Sequence, residues 1–541
     1  MGEKVLVRKA ETSAPIWQRV LLVLCISSMM MFSLFLVFDI ESAIKWTGLS
    51  NLSETTVQYP VPGSHKSRIH APILKDDESC LSRTQHLLYR RDSKVLPPSP
   101  ALDEAWKRYR ELHRSCSHGK NWTDHFLNGG QKTDPCNYLI FVEGGAGLGN
   151  KILALVSAFT YAFVTDRVLL IDSRKNLPSM LCEPFPGSSW ILPDSFPYDQ
   201  IESSPSLGAA IDKKFENFDV VNIHLEHIQG WGDQQFFCDD RHYSLMKVRW
   251  VAWTSTQYYA TSMLALPSFW HRLDSLFPSK TDIFPRLARL IILPANHIWA
   301  RVLRVYWGYL SCSGSRVGIQ IRLHGRWDLA AFDAPVSARI RDCLTSHNLL
   351  PTTAVEENAT QLSGLYSKHY HSEQDGKAVD IAVLIASLQI KYFEEMKELH
   401  SRYPSVDGRL VRVHMVSHGG REENTLEQAE SALAEMWLLS FSDHLATSAY
   451  STFGYVAQGL GGLRPYILNI RGENISNDGL PSCHIGQSIE PCTHFPQSPI
   501  CEGSKPTPEH QAWLDKHMQP CQDQQSGLQL IYSDPAETLP T

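Results

Sequence analysis

Residues Val20 to Phe38 (VLLVLCISSMMMFSLFLVF) are uncharged and nearly all apolar. As a helix rising 1.5 Å per residue they would extend about 28 Å, enough to cross a bilayer. A cleaved signal peptide has a shorter apolar region, roughly 7–15 residues, and no small-x-small cleavage pattern follows Phe38. Lys4, Arg8, Lys9 and Arg19 precede the run, and Asp39 and Glu41 follow it. The positive-inside rule therefore predicts a cytosolic tail over 1–19, a single-pass membrane anchor over 20–38 and a lumenal body. From 39 to 133 the chain is polar, with Pro-rich stretches at Tyr59-Pro60-Val61-Pro62 and Pro97-Pro98-Ser99-Pro100. That pattern predicts a stem or linker with one helix around Ala101 to Arg114.

Two segments with strand-helix alternation follow. In the first, the apolar run Tyr138 to Val142 leads into GGAGLGNK (Gly144 to Lys151). Ile152, Leu155, Val156, Phe159 and Phe163 then recur at helical spacing, and a second apolar run, Val168 to Ile171, ends at Asp172. In the second segment, Val317, Ile319, Ile321 and Leu323 alternate with Gly318, Gln320 and Arg322, which predicts a half-exposed strand. Further apolar runs at Ile381 to Ile385, Leu410 to Val416 and Tyr466 to Ile470 are separated by helical stretches such as Leu426 to Leu439, before which Thr425 and Gln428 form a capping-box pattern. Strands alternating with helices imply parallel sheets, so the chain reads as α/β, with Rossmann-like domains over 134–312 and 313–480 and a Cys-rich tail over 481–541.

Composition narrows the class. With 50 Lys+Arg against 57 Asp+Glu among 541 residues the net charge is -7, and the body has no basic block, which argues against a nucleic-acid partner. The 43% hydrophobic content excludes disorder throughout. Four N-x-S/T sequons, at Asn51, Asn121, Asn358 and Asn474, lie beyond the apolar run and fit a lumenal body. So do the cysteines other than Cys25, from Cys80 to Cys521, which predict structural disulfides. Their odd number leaves at least one thiol unpaired.

Ligands of open α/β sheets bind at the carboxyl ends of the strands. Four such places carry candidate chemistry. The glycines from Gly144 to Gly149 permit a tight turn, and Asn150 and Lys151 open the next helix. Asp172 would suit a nucleotide ribose, yet no G-x-G-x-x-G register precedes it, which weakens an NAD-dependent oxidoreductase. Arg322 ends a strand and offers a guanidinium able to grip a diphosphate. Ser448 to Gly454 places hydroxyls and amides at a helix start, and Ser387-Leu388 reads as an ordinary strand-to-helix turn. The chain holds no D-x-D, H-E-x-x-H or P-loop motif. Diphosphate chemistry here would therefore use Arg, Lys or helix dipoles, with no metal and no cofactor.

These residues resemble the plant xyloglucan fucosyltransferase family. The resemblance is carried by Gly147 to Asp172, Leu181 to Pro193, VGIQIR (Val317 to Arg322), Glu490 to Pro496, and above all ALAEMWLLSFSDHLATSAYSTFGYVAQGLGGLRPYIL (Ala432 to Leu468). It spans about Cys136 to Cys501. It implies a GT-B-like fold and a Golgi type II enzyme that moves L-fucose from GDP-fucose, with inversion, to O2 of a galactosyl residue on a cell-wall polysaccharide such as xyloglucan. By the same resemblance Arg322 binds the GDP diphosphate, and Ser451, Thr452, Phe453, Gly454 and Tyr455 line the nucleotide pocket. Gly147, Gly149, Asn150 and Lys151 face that cleft from the first domain. The chain departs from the family pattern at Lys151, where Arg is usual, in Thr254 to Tyr258, which lacks an acidic residue before the tyrosine, and at His418-Gly419-Gly420. Asp239 and Asp240 are the candidate general bases, unless the transition state needs none. Arabinogalactan-protein glycans are an alternative acceptor, and a silent glycan-binding Golgi scaffold is an alternative role. A homodimer and a Golgi glycosyltransferase complex both stay open.

Overall fold

Two parallel sheets organise the computed structural model, which describes residues 79–90, 96, 99–128, 135–213, 218–226, 230–277, 281–323, 330–354, 380–417, 425–470, 479–497, 501 and 505–531. The first consists of β1 (Asn137–Glu143), β2 (Arg167–Ile171), β3 (Val220–Leu225) and β4 (Trp250–Ser255) in the order β2-β1-β4-β3. All its pairs are parallel, with Tyr138 in register with both Val168 and Trp250. The second contains β5 (Ser315–Ile321), β6 (Ile381–Ser387), β7 (Val411–Met415), β8 (His444–Ser448), β9 (Tyr466–Leu468) and β10 (Cys483–Ile485), ordered β10-β9-β8-β5-β6-β7. Only its edge strand β10 is antiparallel. The architecture is mixed α/β and Rossmann-like. The anchor over 20–38 and the sequons Asn51, Asn358 and Asn474 lie outside the described residues. Among the described residues no helix is long and apolar enough to cross a membrane.

Five helices position the site: α1 (Pro100–Ser117), α2 (Leu148–Val164), α3 (Ile283–Ile291), α4 (Leu426–Leu439) and α5 (Thr452–Gly461). Helix α2 is apolar around its whole circumference and buried from Ile152 to Val164, as such a helix must be. One hydrophobic cluster runs from Leu139 and Phe159 in the first lobe through Phe284 of α3 to Trp437 and Val456 in the second. The lobes therefore share a core. At their seam a Cβ on Gly459 would lie 2.3 Å from the Phe284 ring, so α5 and α3 approach as closely as a glycine allows. Helix α4 starts at the expected capping box, with both of its reciprocal hydrogen bonds formed.

Two sequence expectations change. Strand β5 is buried on both faces rather than half-exposed. It is the central strand between β8 and β6, and a Cβ on Gly318 would sit 2.9 Å from the Leu439 side chain, so the polar-looking face is covered as well. The interval 39–133 is also not linker throughout. Leu102, Ala105 and Tyr109 of α1 join the main core, and the Tyr109 hydroxyl donates to the Arg167 carbonyl at 2.7 Å. Pro100, read as a linker signal, instead opens the helix at a position where its missing N–H costs nothing.

Five disulfides close the body: Cys80–Cys182, Cys116–Cys136, Cys238–Cys501, Cys343–Cys483 and Cys492–Cys521. Among the described residues Cys312 is the unbridged thiol, and it is exposed. Three of the five tie the C-terminal tail to the lobes or to itself. The tail also inserts Glu490 into the core, where it accepts from the Tyr258 hydroxyl and from the Phe284 backbone N–H. Burial pushes the Glu490 carboxyl up to about 8, above its ordinary value of 4.5. The folded chain then holds a proton that the unfolded chain has released, so the stability from this group is lost as pH rises from 4.5 through about 8. Denaturation midpoints measured across that range should fall with pH in the wild type and fall less in Glu490→Gln. Equal slopes would assign the pH dependence to other groups.

Candidate active site

The carboxyl ends of β1, β4, β5, β6 and β7 open onto one cleft of about 750 Å³. Glu143, the Gly147–Lys151 turn, Thr256 and Gln257 line it from the first lobe, and Gln320 to Arg322, Ser387, Leu388 and Ser417 from the second. Tyr450 to Phe453 and the face of α4 bearing Gln428, Ser431 and Glu435 complete the second-lobe wall, while His494 and Phe495 reach in from the tail.

Two helix N-termini meet in this cleft. A Cβ on Gly149, in the first turn of α2, would lie 2.8 Å from the carbonyl carbon and the hydroxyl of Thr452, the first residue of α5. The glycine is thus a spacer that lets the two helix starts touch. Each start carries unpaired N–H groups and the positive end of a helix dipole, so together they favour an anion. Ser451 caps α5 by accepting from the Gly454 N–H at 3.5 Å. Arg322 leaves the end of β5 with its own N–H held by the Ser448 hydroxyl at 2.7 Å, which fixes where its side chain departs.

The charges are arranged unevenly. Of the cleft-lining residues, Lys151 and Arg322 carry fixed positive charge, and Glu143 and Glu435 are the carboxylates. Lys151 Nζ lies 2.5 Å from Glu143 Oε1, and the other oxygen of that carboxylate accepts from the Leu177 N–H at 3.3 Å. Lys151 is therefore already matched by a carboxylate. Glu435 is buried at the opposite wall, where burial raises its pKa, and its Oε1 accepts from the Ser417 N–H at 3.0 Å. As for metals, Cys492, Cys521 and Asp523 are near enough to share an ion, but the two sulfurs are bonded to each other.

The profile of the family described as Xyloglucan fucosyltransferase matches residues 54–502. The chain belongs to that family. It is 36% identical over 477 residues to a galactoside 2-alpha-L-fucosyltransferase of Arabidopsis thaliana, covering 84% of this chain and 81% of the relative. A galactoside 2-alpha-L-fucosyltransferase of Pisum sativum is 35% identical over 472 residues, covering 84% and 80%. Among solved structures, an Arabidopsis thaliana FUT1 mutant in complex with GDP superposes with a TM-score of 0.71 at 34% identity, over 84% of this chain and 97% of that one.

In this xyloglucan fucosyltransferase family member, Gly147, Gly149, Asn150, Lys151, Arg322, Ser451, Thr452 and Phe453 all line the cleft. Gly454 and Tyr455 stand one layer behind it. A Cβ on Gly454 would meet Thr447 at 3.1 Å, and the Tyr455 hydroxyl donates to Asp523 at 2.6 Å. Asp239 is outside the cleft lining, buried, with Oδ1 accepting from the Ser268 N–H at 2.6 Å, a structural tie rather than the position of a base. Asp240, also outside, pairs with Arg241 at 3.1 Å. Asp172 is held by its neighbour Arg174 at 2.8 Å, away from the cleft. Asn121 is exposed and caps the short helix Trp122–Leu127, away from the cleft. Sequence reasoning missed Glu143, Glu435, Ser417, His494 and Phe495 as site residues, and it took Ser387-Leu388 for an ordinary turn. Only the Glu490–Pro496 match hinted at the tail residues, because no local pattern shows that the tail folds back over the turn after β8.

Proposed function

We propose that this chain is a galactoside 2-alpha-L-fucosyltransferase of GT-B-like architecture, transferring L-fucose from GDP-fucose, with inversion, to O2 of a galactosyl residue on a cell-wall polysaccharide such as xyloglucan. The observation that carries the reading is the convergence of two helix N-termini and Arg322 on one cleft between the lobes. A nucleoside diphosphate needs such a set of fixed donors, since negative charge grows on its β-phosphate as the bond to the sugar breaks. The buried Glu435 carboxylate, with one oxygen engaged by Ser417, suits the paired N–H donors on the guanine edge. The acceptor hydroxyl attacks the anomeric carbon from the side opposite the diphosphate. Its proton passes to solvent water as the new C–O bond forms, and the electron pair of the broken bond departs with GDP.

The decisive measurement is GDP release from GDP-fucose by the purified body, with and without a galactose-bearing xyloglucan acceptor. Acceptor-stimulated release is expected. Acceptor binding without any turnover would instead establish a silent glycan-binding protein. We read the donor set described above as sufficient without a metal, so activity should survive EDTA, and loss of activity restored by Mn²⁺ or Mg²⁺ would overturn that point. The apolar run Val20 to Phe38 with its upstream cations supports a type II Golgi anchor. In a secretory host the full chain should then shift in gel mobility on glycosidase treatment, and an unchanged mobility would count against a lumenal body.

A further inference from the structure

We propose that Asp523, in the C-terminal tail, is a positioning residue of the donor site: it holds Tyr450 in a left-handed backbone conformation and thereby sets the Ser451–Phe453 turn that lines the cleft. Tyr450 has φ +59°, a region that non-glycine residues adopt only when their surroundings impose it. Three contacts impose it here. The Tyr450 N–H donates to Asp523 Oδ2 at 2.8 Å, its ring stacks on His494 with centroids 4.0 Å apart, and the next residue is engaged as the cap of α5.

The same Asp523 oxygen accepts from the Tyr455 hydroxyl at 2.6 Å, one turn into α5. With that hydroxyl proton directed at Asp523, the Tyr455 oxygen is left to accept from His494 Nε2 at 3.1 Å. Asp523, Tyr455 and His494 thus form a chain of hydrogen bonds running behind the cleft wall and ending in a ring that lines the cleft. The Cys492–Cys521 disulfide joins the two tail segments that supply His494 and Asp523, each two residues past a bridged cysteine. A carboxylate close to a diphosphate site would ordinarily oppose binding. Here its charge is taken up by two donors, which makes it a brace rather than a competitor. Without it, Tyr450 is released toward negative φ, and the cap and first amides of α5 turn with it.

The proposal rests on the reading of this cleft as a nucleotide-diphosphate site, and the test separates the two. In Asp523→Ala the Kd for GDP and the KM for GDP-fucose should rise together by about tenfold or more, because a backbone donor loses its acceptor and the turn its restraint. The KM for the acceptor should stay near the wild-type value. Asp523→Asn keeps an oxygen able to accept both hydrogen bonds and should restore donor affinity to within about threefold. A folded Asp523→Ala with wild-type GDP affinity would overturn the proposal, as would an Asp523→Asn no better than the alanine variant. Hydrogen exchange on the wild-type chain covers the case in which no alanine variant folds. The Tyr450 amide should be strongly protected, and exchange at the free-peptide rate would also overturn the proposal. A wild-type chain that does not bind GDP in calorimetry would defeat the nucleotide reading, while the exchange result would still judge the Asp523–Tyr450 contact.

Discussion

Arg322→Ala is expected to lower kcat by about 10²–10³-fold, roughly 2.7–4 kcal/mol of transition-state stabilisation, with little change in melting temperature. The side chain leaves the end of β5 into the cleft and is partly exposed, so its removal opens no cavity in the core. Its positive charge is also harder to replace than the count of cations suggests, because Lys151 already faces Glu143 at 2.5 Å. Arg322→Lys retains charge but loses the planar pair of donors and should remain severely impaired. A suitable control is Arg402→Ala, whose side chain is 64% exposed and, among the described residues, pairs with Glu398 four residues earlier. Arg316 would not serve, although it is closer in sequence. It is buried, bonding the Tyr89 and Phe441 carbonyls and the Tyr306 hydroxyl, so its loss would destabilise the fold. A well-folded Arg322→Ala with near-normal turnover would remove Arg322 from the site.

The second large effect is expected at Gly149. Alanine there places a Cβ 2.8 Å from the carbonyl carbon of Thr452 and 2.9 Å from the Phe453 nitrogen, both backbone atoms that cannot swing aside. The two helix starts must separate, at a cost of about 1–3 kcal/mol, typical of overpacking. On the proposed reading those starts supply the anion-binding amides, so Gly149→Ala should lose GDP affinity as well as thermal stability. Gly145→Ala is the matched comparison, because a Cβ at Gly145 meets nothing within 4 Å. Calorimetry with GDP and thermal denaturation on both variants would settle the point, and a Gly149→Ala chain indistinguishable from Gly145→Ala would refute the spacer role.

Much of this architecture is legible in the chain itself. Alternating apolar runs and helical spacings place β1, α2, β2, β5, β6, β7 and β9, because burial periodicity is a local property of the backbone. The Thr425–Gln428 cap is equally local, with both partners three residues apart. Arg322 and the Ser451 turn are readable for the same reason, each sitting at the end of a recognisable strand. Tertiary structure decided the rest. Alternation along β5 cannot reveal that neighbours cover both faces, and Pro100 reads alike in a linker and in the first turn of a helix. The spacer role of Gly149 depends on Thr452, some 300 residues away, and Glu435 becomes a cleft carboxylate only where α4 meets the end of β7. Glu490, His494 and Asp523 enter the first-lobe core and the cleft wall because disulfides and hydrogen bonds draw the tail back across both lobes. Such contacts join segments with no shared pattern, and only their closure in space gives the residues a role.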